Sequence, residues 1–308
     1  MRWFLAWAIT AGMLTAHAQQ QPAPMHEETA SDLYAQATQA MLDRDFASRR
    51  IEYLLLDLRS GGRIAMRWEH PERPVPIGSL LKPFLAIAYS QSSFANTSSS
   101  QPREFPAIRC HGKSDGCWRA GGHGTVALER AIAESCNAYF LSLARSIADS
   151  NTSGVDALRR VAAIYGLPPP PAPDVSGEQV LPRSWIGVTG EWRVTPEALA
   201  RAYGILASQP GDAIVSRVLA GMRQAAGPQG TAARIGAHRG GVLAKTGTAP
   251  CLPKLEPCIA DGDGLVVALV PAEQPTLLLL VRNRGTTGAR AAEIAGEMLS
   301  RIEDSRED

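Results

Sequence analysis

The sequence predicts an α+β fold in which an antiparallel sheet, built from both chain ends and flanked by helices, carries an inserted, mostly helical lobe. Strand-like apolar runs gather toward the two ends, at residues 51–58 and 63–68 and again at 241–248, 265–270 and 276–281, while helical periodicity fills the middle. The 308 residues are 45% hydrophobic and 20% charged, a balance that can bury a substantial core. A formal net charge of +1 gives no sign of a nucleic-acid partner.

Taken in order, residues 1–18 read as a signal peptide. Arg2 is the positive start, residues 3–15 are mostly apolar, and Ala16-His17-Ala18 is a small-residue cleavage site, with an uncleaved anchor as the alternative reading. Residues 19–30 read as a flexible leader and 31–308 as one domain; export places that domain in the periplasm or otherwise outside the cytoplasm. The spacing of Leu33, Ala37, Ala40 and Met41 predicts a helix over 31–46. Ser60-Gly61-Gly62 turns the first strand into the second. A helix over 79–90 follows, with Pro83 tolerated in its first turn. Residues 92–106 are Ser-rich and read as a loop. A helical region over 125–147 is expected to break near Ser135. Residues 168–173 are proline-rich and cannot be helical, and helices are expected at 195–208, 215–226 and 289–302. Pro271, Glu273 and Pro275 split residues 264–281 into a strand pair, not a membrane span.

Export favours disulfides. Cys110 and Cys117 lie close together in a polar loop, as do Cys251 and Cys258, so two local bridges are expected, with Cys136 left over. Zinc on Cys110, His111, Cys117 and His123 is the competing reading, but that spacing fits no standard zinc pattern.

Three short motifs carry chemistry together. In Ser79-Leu80-Leu81-Lys82, helical spacing puts Ser79 and Lys82 on one face. A hydroxyl needs a neighbouring base, and a lysine serves only if burial or nearby positive charge lowers its pKa. Ser135-Cys136-Asn137 sits at the expected helix break, where hydroxyl and amide can face a cleft. In Lys245-Thr246-Gly247-Thr248, strand alternation sets Lys245 and Gly247 on one face and Thr246 and Thr248 on the other. A lysine and hydroxyls there suit a substrate carboxylate, and Gly247 would admit a substrate backbone.

Ser-x-x-Lys, Ser-x-Asn and Lys-Thr-Gly, in that order, form a set that resembles penicillin-binding proteins and serine β-lactamases. The flanks of all three motifs, including Trp118, the Gly122-His123-Gly124 turn and the run from Val194 to Tyr203, are most similar to the transpeptidase domain of penicillin-binding proteins, without the domains that usually precede it. The resemblance implies the β-lactamase/transpeptidase-like fold and a serine acyltransferase acting on D-Ala-D-Ala stems of peptidoglycan, as transpeptidase, carboxypeptidase or endopeptidase. It implies Ser79 as nucleophile, Lys82 as base, Ser135 as proton relay and Lys245 as its electrostatic partner. Asn137 would hold the substrate amide, Thr246 and Thr248 the terminal carboxylate, and the backbone N–H groups of Ser79 and Thr248 the oxyanion. β-Lactams would acylate Ser79. No cofactor, metal or nucleic acid is implied.

Two rival functions are a β-lactamase and a non-catalytic β-lactam or cell-wall binding module. Against the first, Glu197 heads no Glu-x-x-Leu-Asn segment and Tyr165-Gly166 is followed by Leu167. Against the second, every catalytic residue type is present. Cys136 reads as a small buried space-filler with an oxidisable thiol. His123 reads as a turn residue, Trp185 and Trp192 as core or cleft walls, and Arg282 and Arg284 as solvated surface.

Overall fold

The computed structural model describes residues 30–92, 103–172 and 181–305. The assigned signal peptide, the leader up to residue 29, most of the Ser-rich loop and Pro173 lie outside the described residues. Helix α1 (Ala30–Asp45) precedes strands β1 (Ile51–Asp57), β2 (Arg63–Arg67) and β3 (Val75–Pro76). A 3-10 turn (Gly78–Leu81) runs into α2 (Lys82–Gln91). Then come β4 (Ile108–Cys110), β5 (Gly124–Val126), α3 (Leu128–Ala133), α4 (Asn137–Asp149), α5 (Asn151–Ile164), α6 (Leu181–Trp185), β6 (Arg193–Val194), α7 (Pro196–Ala207) and α8 (Ala213–Ala225). Strands β7 (Leu243–Pro250), β8 (Gly262–Val270) and β9 (Leu277–Asn283) and helix α9 (Gly288–Asp304) close the chain.

Five strands form one antiparallel sheet in the order β2-β1-β9-β8-β7, so both chain ends supply it, as the sequence predicts. The strands are apolar on both faces because each face is covered. Tyr53, Leu55, Val266, Ala268, Leu279 and Val281 pack against α1 and α9. Leu54, Leu265, Val267, Leu278 and Leu280 pack against the helical lobe. Double coverage turns the usual polar–apolar alternation into continuous apolar runs. The result is three layers, with β7 on the sheet edge beside the lobe.

The middle of the chain departs from expectation in three places. Thr125 does not start a helix: Thr125 and Val126 pair with Arg109 and Ile108 as a short ribbon, and α3 begins only at Leu128. β-Branched side chains suit that pairing better than a helix start. Helix α5 has no clear signal in the sequence. Its opening Asn-Thr-Ser-Gly has turn composition, although Leu158, Val161 and Ala162 sit buried on one face beyond it. The five-residue α6 is too short to show helical periodicity.

Both expected cysteine pairs, Cys110–Cys117 and Cys251–Cys258, are bonded, and Cys136 is free and buried. Arg282 is not solvated surface. It is 2% exposed and is held by carboxylates from three elements: Glu52 on β1, Asp263 on β8 and Glu256 in the Cys251–Cys258 loop. Burial works against its charge, but those carboxylates outweigh the penalty and raise its pKa. Trp185 and Trp192 are buried walls whose indole N–H groups donate to the carbonyls of Pro171 and Pro168, pinning the proline stretch.

Candidate active site

The nucleophile segment is a 3-10 turn that becomes α2 at Lys82, not a continuous α-helix from Ser79. With three residues per turn, Ser79 and Lys82 still stack on one side. The turn is clamped from two directions. Gly78 has φ +56°, and a Cβ there would lie 2.7 Å from the Thr248 carbonyl. Gly187 has φ +81°, and its Cβ would lie 2.1 Å from the Gly78 carbonyl. Only glycines allow these approaches. Tyr203 on α7 adds a hydroxyl bond to the Leu80 carbonyl at 2.8 Å.

The second motif sits at the break between α3 and α4. Ser135 has φ +51° and is the one non-glycine residue with positive φ among the described residues. A serine in this region carries roughly 1–3 kcal/mol of strain and persists only where its surroundings hold it. The turn aims the Ser135 hydroxyl into the site and places Asn137 on the first turn of α4.

The third motif brings Lys245 to the same hydroxyl. Ser135 Oγ accepts from Lys82 Nζ at 3.1 Å and from Lys245 Nζ at 3.0 Å. Lys82 also donates to the Ser135 carbonyl at 2.7 Å and to Asn137 Oδ1 at 2.6 Å. Lys245 also donates to the Thr246 carbonyl at 2.8 Å. Both lysines are fully buried. Burial draws Lys82 down to about 7, opposed by the nearby Cys136 sulfur. Burial, and then the charge of Lys82, hold Lys245 well below its ordinary value. Two amines on one buried hydroxyl disfavour a state in which both are charged. The arrangement holds a neutral amine beside a hydroxyl that can pass a proton on.

The structure thus gathers Lys82, Ser135, Asn137 and Lys245 through direct hydrogen bonds, with Ser79 one turn before Lys82. It treats the rest of the third motif differently. Gly247 does not open space for a ligand: its Cβ would lie 2.7 Å from the Ile77 carbonyl and 3.5 Å from Ser79 N, so the chain's own nucleophile turn fills that space. Thr246 is buried and donates its hydroxyl proton to Thr231 Oγ1 at 2.6 Å, and Thr231 in turn bonds the Ala133 carbonyl at 3.2 Å. Thr248 is exposed, and its Oγ1 accepts from Gly288 N at 3.1 Å, at the N-terminus of α9. Its own proton remains to donate, where the positive end of a helix favours an anion.

Sequence reasoning missed Tyr203 and Thr231 as supports, since nothing local ties a tyrosine to a carbonyl 123 residues earlier. Glu197 pairs at the surface with Arg63 at 3.6 Å and Arg201 at 3.7 Å. His123, read as a turn residue, lies in the loop before β5 but is buried there, and its Nδ1 faces the sulfurs of Cys110 and Cys117. Two groups of described residues have metal-ligand spacing, one around His123 and one of Cys251, Glu256 and Asp263. In the second, both carboxylates are committed to Arg282; each group also contains bridged cysteines, Cys251 in the second and Cys110 with Cys117 in the first.

The family model for the penicillin binding protein transpeptidase domain matches residues 36–302. No curated protein sequence matches the chain. Among solved structures, PBP2 of Pseudomonas aeruginosa is 18% identical, with a TM-score of 0.62 over 89% of this chain and 76% of that one. The transpeptidase domain of the FtsI4 D,D-transpeptidase of Legionella pneumophila is 19% identical, with a TM-score of 0.59 over 90% and 97%. PBP2 of Helicobacter pylori, solved with MreC, is 17% identical, with a TM-score of 0.67 over 87% and 63%. At these identities the likeness is one of fold.

Proposed function

Because the chain belongs to the family of penicillin-binding protein transpeptidase domains, we propose that it is a serine acyltransferase acting on the D-Ala-D-Ala ends of peptidoglycan stem peptides, and that β-lactams acylate the same serine. The observation that carries this reading is the Ser135 hydroxyl held by two buried lysines, Lys82 at 3.1 Å and Lys245 at 3.0 Å, one turn from Ser79. A neutral Lys82 takes the Ser79 proton as Oγ attacks the carbonyl carbon of the penultimate D-Ala. A C–O bond forms, the carbonyl becomes an oxyanion, and the N–H groups of Ser79 and Thr248 receive it. The proton then passes through Ser135 to the nitrogen of the terminal D-Ala as the C–N bond breaks, leaving an acyl-serine. Lys245 holds the relay hydroxyl in place.

Substrate positioning divides among the remaining motif residues. Asn137 Oδ1 is occupied by Lys82, so its amide N–H₂ faces the substrate carbonyl. Thr248 is the better carboxylate ligand, because its proton is unspent and it lies at the α9 N-terminus. Thr246 acts indirectly by tying β7 to Thr231. Residues 1–18 export the chain, so that the domain works outside the cytoplasm.

The test is release of D-Ala from a stem pentapeptide, followed by mass spectrometry with and without an added amine. Wild type should release D-Ala, and Ser79→Ala should not. Product retained on the amine identifies transfer, and product capped by water identifies hydrolysis. Release by Ser79→Ala at the wild-type rate would refute the assignment.

A further inference from the structure

The second motif touches a side-chain cluster that the reaction does not use. Cys110 at the end of β4, Cys117 and His123 in the loop before β5, and Cys136 between Ser135 and Asn137 are all buried. Their donor atoms all lie within 4.8 Å of one another. His123 Nδ1 is 3.5 Å from the sulfur of Cys110 and 3.3 Å from that of Cys117, and the sulfurs of Cys117 and Cys136 are 3.6 Å apart. A tetrahedral zinc with Zn–S near ~2.3 Å and Zn–N near ~2.05 Å sets its ligands about 3.8 Å apart for S–S and about 3.6 Å for S–N. These three edges follow that figure, while the sulfurs of Cys110 and Cys117, bonded to each other in this structure, would stand at the wider spacing as thiolates. From these contacts we propose that Cys110, Cys117, His123 and Cys136 form a closed structural zinc site.

A second observation points the same way. His123 Nε2 and Glu134 Oε2 are buried without hydrogen-bond partners, 3.8 Å apart. A metal on Nδ1 fixes the ring proton on Nε2, aimed at Glu134, and metal-bound histidines ordinarily donate to such a carboxylate. Glu134 is itself held through Oε1 by Arg130 at 2.7 Å. The Cys110–Cys117 bridge and the zinc are alternative fates of the same two thiols: bridging removes two electrons and needs an oxidant, whereas zinc binds the thiols of the newly made chain with no redox step. The bridged pair has its Cα atoms 7.0 Å apart, just outside the usual range of about 4.4–6.8 Å. Zinc enters the reduced cluster as three thiol protons leave, giving a site of net charge −1. His111, a candidate ligand on sequence spacing, plays no part: it is exposed and pairs with Asp115 at 2.9 Å, while Cys136 supplies the fourth donor.

With four protein ligands the site leaves no position for substrate, so its work is positional. It ties the β4–β5 ribbon to the residue between Ser135 and Asn137, and so holds the positive-φ turn that presents the relay hydroxyl. The proposal stands independently of the acyltransferase reading, because its readout is metal. The experiment is elemental analysis of the exported protein purified without chelator, together with a thiol count on denatured, unreduced chain. The prediction is one zinc per chain and three thiols, with Cys251–Cys258 still bridged. Cys136→Ser and His123→Ala should each lower zinc content at least tenfold, while Cys251→Ser with Cys258→Ser keeps it. Glu134→Gln should weaken zinc affinity about 10–100-fold. If the ligand variants do not fold, cobalt(II) titration of reduced wild type decides, with the absorption of a tetrahedral thiolate expected. One thiol and no zinc in wild type, an octahedral cobalt spectrum, or equal zinc in wild type and Cys136→Ser (an adventitious ion only) would overturn it.

Discussion

Lowering the pH from 8 to 6 should slow acylation about tenfold, because the base is a lysine whose pKa burial has drawn down to about 7. At that value about nine-tenths of Lys82 is neutral at pH 8 and about one-tenth at pH 6. Only the neutral amine can take the Ser79 proton. The assay is the second-order rate of acylation by a fluorescent penicillin across pH 5.5 to 9.5. The rate should climb with unit slope below about pH 7 and level off above it. A rate flat from pH 6 to 8, or one still climbing with unit slope past pH 9, would refute the assignment of Lys82 as a depressed base. The same shift has a signed effect on stability. A folded-state pKa below the unfolded value means the unfolded chain binds the extra proton between about pH 7 and 10.5, so stability rises with pH across that window and the penalty is complete below it. At about 1.4 kcal/mol per unit the penalty is at most about 5 kcal/mol. Lys82→Met removes it but forfeits three hydrogen bonds worth roughly 1 kcal/mol each. The variant should therefore be inert yet about 2 kcal/mol more stable than wild type in urea at pH 6.5, with the gap closing near pH 8 and reversing to about 2 kcal/mol less stable at pH 10.

Other expectations follow from the same contacts. Gly187→Ala places a Cβ at φ +81° and 2.1 Å from the Gly78 carbonyl, so it should cost well over 1 kcal/mol and slow acylation by displacing the nucleophile turn; thermal unfolding and acylation rates read both. Ser135→Gly and Ser135→Ala should lose acylation alike, but the glycine variant should be more stable by about 1 kcal/mol because φ +51° is unstrained for it; equal stabilities would contradict a strained turn. Arg282→Met leaves Glu52 and Asp263 buried without their cation and should destabilise the fold by about 3–5 kcal/mol at pH 7.5. That deficit should shrink at pH 5.5 as Glu52, whose carboxyl burial already pushes above its ordinary value, takes up a proton, which urea titrations at the two pH values would show.

The sheet and the three motifs were legible because their signals are local. Apolar runs such as 277–283 are long and sharply bounded, and each motif is only three or four residues long. What was hidden depends on contacts between distant segments. Arg282 looks solvated until the fold brings Glu52 from β1 and Glu256 from the stapled loop around it. Gly247 looks like room for a ligand until the Ile77 carbonyl is seen to occupy it. Helix α5 was hidden by its turn-like opening, and Thr125 was drawn into a helix by the strong periodicity that follows it. That Cys136 is left over and buried is as the sequence suggests, but its closeness to Cys117 and His123 is not legible, because those residues lie 19 and 13 positions earlier in the loop before β5.

The central claim is that Ser79 is a nucleophile served by Lys82, and covalent labelling tests it most directly. The exported protein would be incubated with a fluorescent penicillin, denatured, and run on a gel beside Ser79→Ala, with the labelled peptide identified by mass spectrometry. The account predicts a label on wild type, located on Ser79 and absent from the variant. A folded wild-type protein that takes no label, or a label that persists in Ser79→Ala, would contradict it.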